Sequence, residues 1–315
     1  MKHRGRTVGH PTRDHAALVE KLGELRRLRN AVILAHNYQL GEVQDVADFL
    51  GDSLDLSRKA MATDADVIVF CGVHFMAETA AILSPHKTVV LPEPRAGCPM
   101  ADMIDAETLR DLRGKHPGAV VVCYVNTSAE VKAESDVCCT SANAAEIVSR
   151  FPPDQEIIFV PDRNLGANTA ARLGREMILW PGFCAVHDRI RPDDIARRRA
   201  RFPGAVVMVH PECRPEVVQA ADVALSTSGM VRFARENTAD TVIVGTELGL
   251  IHRLQKESPD TLFVPLTEQA VCPNMKLTTL EKVVAALESL EPRITVPEEI
   301  RLGAERAVRR MTDGS

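Results

Sequence analysis

The chain has 315 residues, enough for two or three lobes around a sizeable core, and its 45% hydrophobic and 26% charged residues are those of an ordinary globular protein. A formal charge of −5 gives no electrostatic ground for a nucleic-acid partner, and the basic run Arg197–Arg201 reads as a solvated helix face. No apolar run reaches membrane-spanning length, the polar N-terminus leads into no signal-peptide core, and eight cysteines are too sparse for a disulfide scaffold, so the expectation is a cytoplasmic protein, with no membrane partner, whose cysteines bind metal or react.

In chain order, residues 15–28 have the spacing of an amphipathic helix. Residues 29–57 (RNAVILAHNYQLGEVQDVADFLGDSLDLS) then run strand, polar loop, helix, short strand and hydroxyl-bearing turn. A strand DVIVFCG, a helical stretch and a last short strand KTVVLPEP lead to Cys98. Residues 116–147 (HPGAVVVCYVNTSAEVKAESDVCCTSANAAEI) repeat the first pattern, EIIFVPD and REMILWPG the second, ending at Cys184. Residues 202–233 (FPGAVVMVHPECRPEVVQAADVALSTSGMVRF), TVIVGTE and TLFVPLTE make a third copy, ending at Cys272. Residues 278–290 and 297–312 read as closing helices.

The register of the copies is tight. His36, Tyr124 and His210 follow the first strands at intervals of 88 and 86 residues, and Ser53, Ser141 and Thr227 keep the same intervals in the hydroxyl turns. Cys98, Cys184 and Cys272 are 86 and 88 apart. Val/Ile/Leu-rich strands alternating with helices predict small parallel sheets covered on both faces. The expected fold is α/β: three α/β/α sandwich domains related by a pseudo-threefold axis, with the active site at their central junction. The domain expectation is 1–106 with the N-terminal helix, 107–190 and 191–275, with the helices of 276–315 packing back on the first domain.

Ligands of such sheets gather at the carboxyl ends of the strands, where every repeated residue named above falls. A single free cysteine is most simply a packing residue. Three in one register favour ligation, and no C-x-x-C pair marks a structural zinc site. Three thiolates suit a [4Fe–4S] cluster with one open iron that serves as a Lewis acid. Cys71 and Cys123 read as core; Cys138, Cys139 and Cys213 share no register and are left without a role. Ser53, Ser141, Ser226 and Thr227 sit at or near expected helix starts, where N–H groups and dipoles favour phosphate or carboxylate, so the substrate is expected to be small and anionic. His210 and Glu212, two apart after a strand, can face one cavity as acid/base groups. The two tyrosines, Tyr38 and Tyr124, both fall in strand-end loops.

The motifs ILAHNYQ, GDSLDLSRKA, FMAE, CPM, YVNTSAE, CTSANA, PDRNLG, HPEC, GTELGLIHRL and CPNMK, in this order from about residue 30 to residue 285, together resemble the NadA-type quinolinate synthase family. The resemblance implies three pseudo-threefold α/β domains around an oxygen-sensitive [4Fe–4S] cluster, one per chain, on Cys98, Cys184 and Cys272. It also implies condensation of iminoaspartate with dihydroxyacetone phosphate to quinolinate, phosphate and water, in NAD biosynthesis. Substrate-binding positions carried over by motif are His36, Ser53, Tyr124, Asn126, Ser141, His210, Glu212 and Thr227, together with Tyr38 and Ser226. Glu212 is expected to move protons, with His210 or Tyr38 relaying. The enzyme that supplies iminoaspartate is an implied transient partner. Two features depart from the family pattern: Ala185 follows the second cysteine where proline follows the others, and Cys138–Cys139 adds a thiol. The alternatives are another Fe–S (de)hydratase and a non-enzymatic small-anion binding protein with structural or zinc-bound cysteines. Radical S-adenosylmethionine chemistry finds no C-x-x-x-C-x-x-C motif.

Overall fold

The computed structural model describes residues 13–312; residues 1–12 and 313–315, which include most of the basic N-terminal segment, lie outside the described residues. The first unit contains α1 (Arg13–Leu28), β1 (Ala31–His36), α2 (Gly41–Val46), β2 (Phe49–Gly51), α3 (Ser53–Ala62), β3 (Val67–Cys71), α4 (His74–Leu83) and β4 (Thr88–Val90). The second contains α5 (Ala106–Lys115), β5 (Val120–Tyr124), α6 (Ala129–Ala133), β6 (Val137–Cys139), α7 (Ala144–Ser149), β7 (Ile157–Val160), α8 (Arg163–Leu173) and β8 (Ile178–Leu179). The third contains α9 (Pro192–Arg201), β9 (Val206–Val209), α10 (Pro215–Ala220), β10 (Val223–Ala224), α11 (Thr227–Glu236), β11 (Thr241–Gly245), α12 (Gly249–Glu257) and β12 (Leu262–Pro265), and α13 (Leu280–Ser289) and α14 (Glu298–Thr312) close the chain. No helix among the described residues is long and apolar enough to cross a membrane.

Each unit is one parallel four-stranded sheet, in the orders β2-β1-β3-β4, β6-β5-β7-β8 and β10-β9-β11-β12. The expected α/β architecture in three similar units is therefore what the chain adopts. β3 (VIVFC) and β7 (IIFV) are buried along their whole length, as strands covered on both faces must be. One apolar core runs through all three units, joining Leu34 and Ile68 to Val121 and Ile157 and to Met208 and Val242. A second core seats α1 and α13 against β1 and β3. Helix α14 lies over α4, α6 and β6, with Ala307, Val308 and Met311 buried.

The repeat extends to individual bonds. The second strand of each sheet starts late, pairing first at Leu34↔Phe49, Val122↔Val137 and Met208↔Val223, so the preceding N–H of the first strand lacks a strand partner. An aspartate just before the second strand supplies one: Ile33 N–H donates to Asp48 (2.8 Å), Val121 to Asp136 (2.8 Å) and Val207 to Asp222 (2.7 Å). An arginine of the preceding helix holds each carboxylate: Arg26 on Asp48, Arg113 on Asp136 and Arg199 on Asp222. The turns entering the first strands need positive φ, supplied by Asn30, Gly118 and Gly204.

Replacing Asp136 with Ala leaves the Val121 N–H without its acceptor and is expected to destabilise the fold by about 1–2 kcal/mol. Urea or thermal melts check this; an unchanged midpoint would remove the aspartate from the account of the sheet.

Candidate active site

In each sheet the chain leaves the first strand toward opposite sides, so the switch points lie at the carboxyl ends of β1/β3, β5/β7 and β9/β11. The residues following these strands meet in one cavity of about 300 Å³. His36 and Tyr38 come from the first unit, Tyr124 and Asn126 from the second, and His210, Glu212 and Glu247 from the third. Ser53, Ser141, Thr227, Cys98, Cys184 and Cys272 also line it. Of the residues named from sequence only Ser226 is absent from the lining: its hydroxyl accepts the Gly229 N–H (3.2 Å) and caps α11.

The cysteine loops are hung in the same way three times. The N–H of His74, Arg163 and Leu248 donates to the carbonyl two residues before each cysteine: Ala96 (2.8 Å), Gly182 (2.8 Å) and Ala270 (3.0 Å). A one-turn 3-10 segment follows each cysteine, at Ala101–Met103, His187–Arg189 and Asn274–Lys276. Nearby backbone N–H groups favour the charged form of each sulfur, those of Met100 and Ala101 for Cys98, of His187 for Cys184, and of Asn274 and Met275 for Cys272. These three cysteines are half-buried, whereas the other five are buried. Burial pushes the Cys98 thiol up to about 12 and raises Cys184 and Cys272 as well. Left to themselves the sulfurs stay protonated; a metal must displace the protons. Three convergent sulfurs with N–H donors and no disulfide fit an iron–sulfur cluster.

Two histidines are set by an identical local bond. The Tyr38 N–H donates to His36 Nδ1 (3.2 Å), and the Glu212 N–H donates to His210 Nδ1 (3.3 Å). Nδ1 being an acceptor, each ring carries its proton on Nε2 and offers a donor rather than a base. Burial lowers both imidazoles to about 3, so they are neutral at physiological pH.

Glu212 is the centre of the polar network. Tyr124 Oη donates to its Oε1, and His187 Nδ1 lies 2.6 Å from its Oε2. Burial opposes its ionisation, but His210, His187 and Tyr124 outweigh burial and hold its carboxyl below the usual range. From His187 the contacts continue through Nε2 to Thr246 Oγ1 (2.8 Å) and from there to Tyr38 Oη (2.5 Å). The carboxylate fixes the proton of His187 on Nδ1, leaving Nε2 to accept. Every bond then points from Tyr38 toward Glu212. Burial, and next the charge of Glu212, raise Tyr38 and Tyr124 well above 10, so neither phenol ionises on its own.

Of the four hydroxyls at or near helix starts, only that of Ser226 caps its helix. Asp52, not Ser53, caps α3, its Oδ1 accepting the N–H of Leu54 and Asp55 (3.0 Å each). With the cap taken by Asp52, the Ser53 hydroxyl is left to the cavity. Asn143 occupies the cap of α7, so Ser141 stands in the turn before it. Thr227 Oγ1 accepts from Asn37 Nδ2 (2.8 Å).

Sequence reasoning missed His187, Thr246 and Arg189. His187 follows Cys184 by three in the tight turn after the cysteine, with its Nδ1 3.2 Å from the Cys184 sulfur, and this close spacing in the sequence is the signal that could have found it. Thr246 lies in the motif GTELG. Arg189 is the one Lys or Arg among the described residues lining the cavity, and it stands exposed. The sulfur of Cys184, Nδ1 of His187 and a carboxylate oxygen of Glu212 also lie within 4.8 Å of one another.

His36 and His210 bind protons near pH 6.5 when unfolded and near 3 when folded, so between these values the unfolded state holds more protons. Stability of the metal-free protein is therefore expected to fall as pH drops from 6.5 toward 3, by about 1.4 kcal/mol per pH unit for each histidine. Melts of wild type, His36→Asn and His210→Asn across this range check it; equal slopes in all three contradict it.

Residues 20–313 match the family model described as NadA, Quinolinate synthetase A protein. A quinolinate synthase of Dehalococcoides mccartyi strain CBDB1 is 59% identical over 291 residues, covering 92% of this chain and 96% of the relative. Relatives of the same name from Desulforudis audaxviator and Methanoregula boonei are 58% and 56% identical, covering 93% and 95% of this chain and 97% and 98% of their own lengths. The chain belongs to the quinolinate synthetase A family.

Proposed function

We propose that this enzyme is a quinolinate synthase of NAD biosynthesis, condensing iminoaspartate with dihydroxyacetone phosphate and releasing phosphate and water. Apart from family membership, one observation carries the reading: the switch points of three sheets deliver three thiols, two neutral histidine donors and an ionised carboxylate to a single cavity. Cys98, Cys184 and Cys272 would hold a [4Fe–4S] cluster, which supplies an open Lewis-acidic iron when bound. A cytoplasmic, reducing setting keeps such thiols available, and unstable iminoaspartate would pass to the site from the enzyme that makes it.

Binding of the anions falls to the protein. The N-terminus of α11 offers N–H groups and a positive dipole end, while Asp52 fills that of α3, and Ser53, Ser141 and Thr227 stand by as hydroxyl donors. His36 and His210 direct Nε2–H toward substrate oxygens, and Arg189 attracts the anions at the mouth. Tyr38 is the end of the hydrogen-bonded chain that meets substrate. When its oxygen takes a substrate proton, its own moves through Thr246 and His187 to Glu212; the reverse shift delivers a proton to a departing hydroxyl. Because both phenols titrate far above neutrality, the shift must be concerted.

A second reading has an observation of its own. Cys184, His187 and Glu212 present the donor set of a single zinc-like ion, which would leave Cys98 and Cys272 without metal.

Formation of quinolinate from the two substrates under anaerobic conditions tests the assignment, and its absence in metal-loaded protein would overturn it. Glu212→Gln is expected to lower kcat by about 10²–10⁴-fold while metal content stays at the wild-type level. Arg189→Ala is expected to raise KM roughly fivefold at low salt and to leave kcat within about twofold. Wild-type kcat in Glu212→Gln would remove the relay from the mechanism.

A further inference from the structure

Glu247, two residues beyond the end of β11, is fully buried, lines the cavity and has no place in the relay. Its Oε1 accepts the backbone N–H of Cys272 (3.2 Å) and its Oε2 that of Gly249 (2.7 Å). Lys276 Nζ sits 2.9 Å from Oε1 and 3.0 Å from Oε2, and it also donates to the carbonyl of Tyr38 (2.5 Å). One ion pair thus joins the loop of the third cysteine, the start of α12 and the loop that carries Tyr38, which comes from another unit of the fold.

Gly249 independently marks the pair as built into the site. A Cβ there would fall 2.6 Å from Lys276 Nζ, 2.7 Å from the Tyr38 carbonyl oxygen and 2.8 Å from Glu247 Oε2. Side chains of any size would push the pair apart, so glycine leaves the room it needs. The other units show what is particular to the third. Asp162, at the matching position of the second unit, spends its Oδ1 on the N–H of Asn164 and Leu165, with the Cys184 N–H among the dipoles favouring its charge. Val73 holds that position in the first unit and offers Cys98 no carboxylate.

We propose that Glu247 and Lys276 form a positioning pair that locks the Cys272 loop to the Tyr38 loop, fixing the sulfur end of the site against its proton-transfer end. Neither side chain reaches the reacting atoms. Buried ion pairs contribute little net stability but hold geometry, and partners of a metal-ligand loop commonly change metal retention about 10–100-fold when removed. The proposal rests on the reading of Cys272 as a cluster ligand, and its test separates the two.

The test uses full-length wild type, Glu247→Gln, Lys276→Met and Gly249→Ala, each first shown folded by circular dichroism. In metal-free protein, alkylation of Cys98, Cys184 and Cys272 by iodoacetamide is followed peptide by peptide. The pair predicts at least about tenfold faster alkylation of Cys272 in the variants, with Cys98 within about twofold of wild type. General loosening would accelerate all three and overturn the proposal, as would an unchanged Cys272 rate. In anaerobically reconstituted protein, iron release to EDTA is expected to be about tenfold faster in the variants, and kcat to fall with KM little changed. Unchanged iron release from variants of an iron-bearing wild type would also overturn it. A wild type that takes up no iron contradicts the cluster reading instead, and the alkylation rates then decide the proposal alone. If Glu247→Gln does not fold, Gly249→Ala and Lys276→Met carry the test without removing the carboxylate.

Discussion

An ionised carboxylate shut away from water has to be surrounded by donors, and Glu212 finds them in Tyr124 of the second unit and in His187 of the connection after Cys184. None of these groups comes from one local stretch of chain. Holding this charge therefore requires the units to sit as they do, and the rest of the site follows. His187, pinned by the carboxylate, accepts from Thr246, which accepts from Tyr38, so the same constraint reaches the first unit. Removing any one donor would leave a buried charge underserved, a far greater penalty than the loss of an exposed ion pair.

Threefold repetition supplies the frame, and departures from it supply the chemistry. Asp48, Asp136 and Asp222 do one structural task three times. Carbonyls of Ala96, Gly182 and Ala270 hang three cysteine loops in one manner. At the cavity the equivalent positions diverge. The first strands end on His36 and Tyr124 and just before His210, and the positions two beyond the third strands hold Val73, Asp162 and Glu247. Three equivalently placed thiols are thereby combined with an asymmetric set of donors around one cavity.

Much of this was legible in the chain. The interval of 86 to 88 residues gave the three units, the strand-end positions and the grouping of Cys98, Cys184 and Cys272, because a βαβα unit repeats its turns at fixed offsets. Ordinary propensity rules located α1, α13 and α14 to within two residues. What stayed hidden were groups defined by contacts across units. Thr246 meets Tyr38 across 208 residues and Lys276 meets it across 238, and no periodicity reports such a meeting. Ser53 was legible as lying at or near a helix start, but Asp52 and Ser53 are both capping types, and only the geometry shows that Asp52 spends its oxygen on the backbone. Cys213 and Cys139 were ambiguous by type, and both are fully buried.

The central claim is that three sulfurs, one from each unit, share a cluster. Iron, zinc and acid-labile sulfide analysis of anaerobically purified wild type, Cys98→Ala, Cys184→Ala and Cys272→Ala tests it most directly. The account predicts about four irons per wild-type chain, with sulfide in the same ratio, and loss of most iron in each of the three variants. A single zinc that survives in Cys98→Ala and Cys272→Ala and is lost only in Cys184→Ala would contradict it.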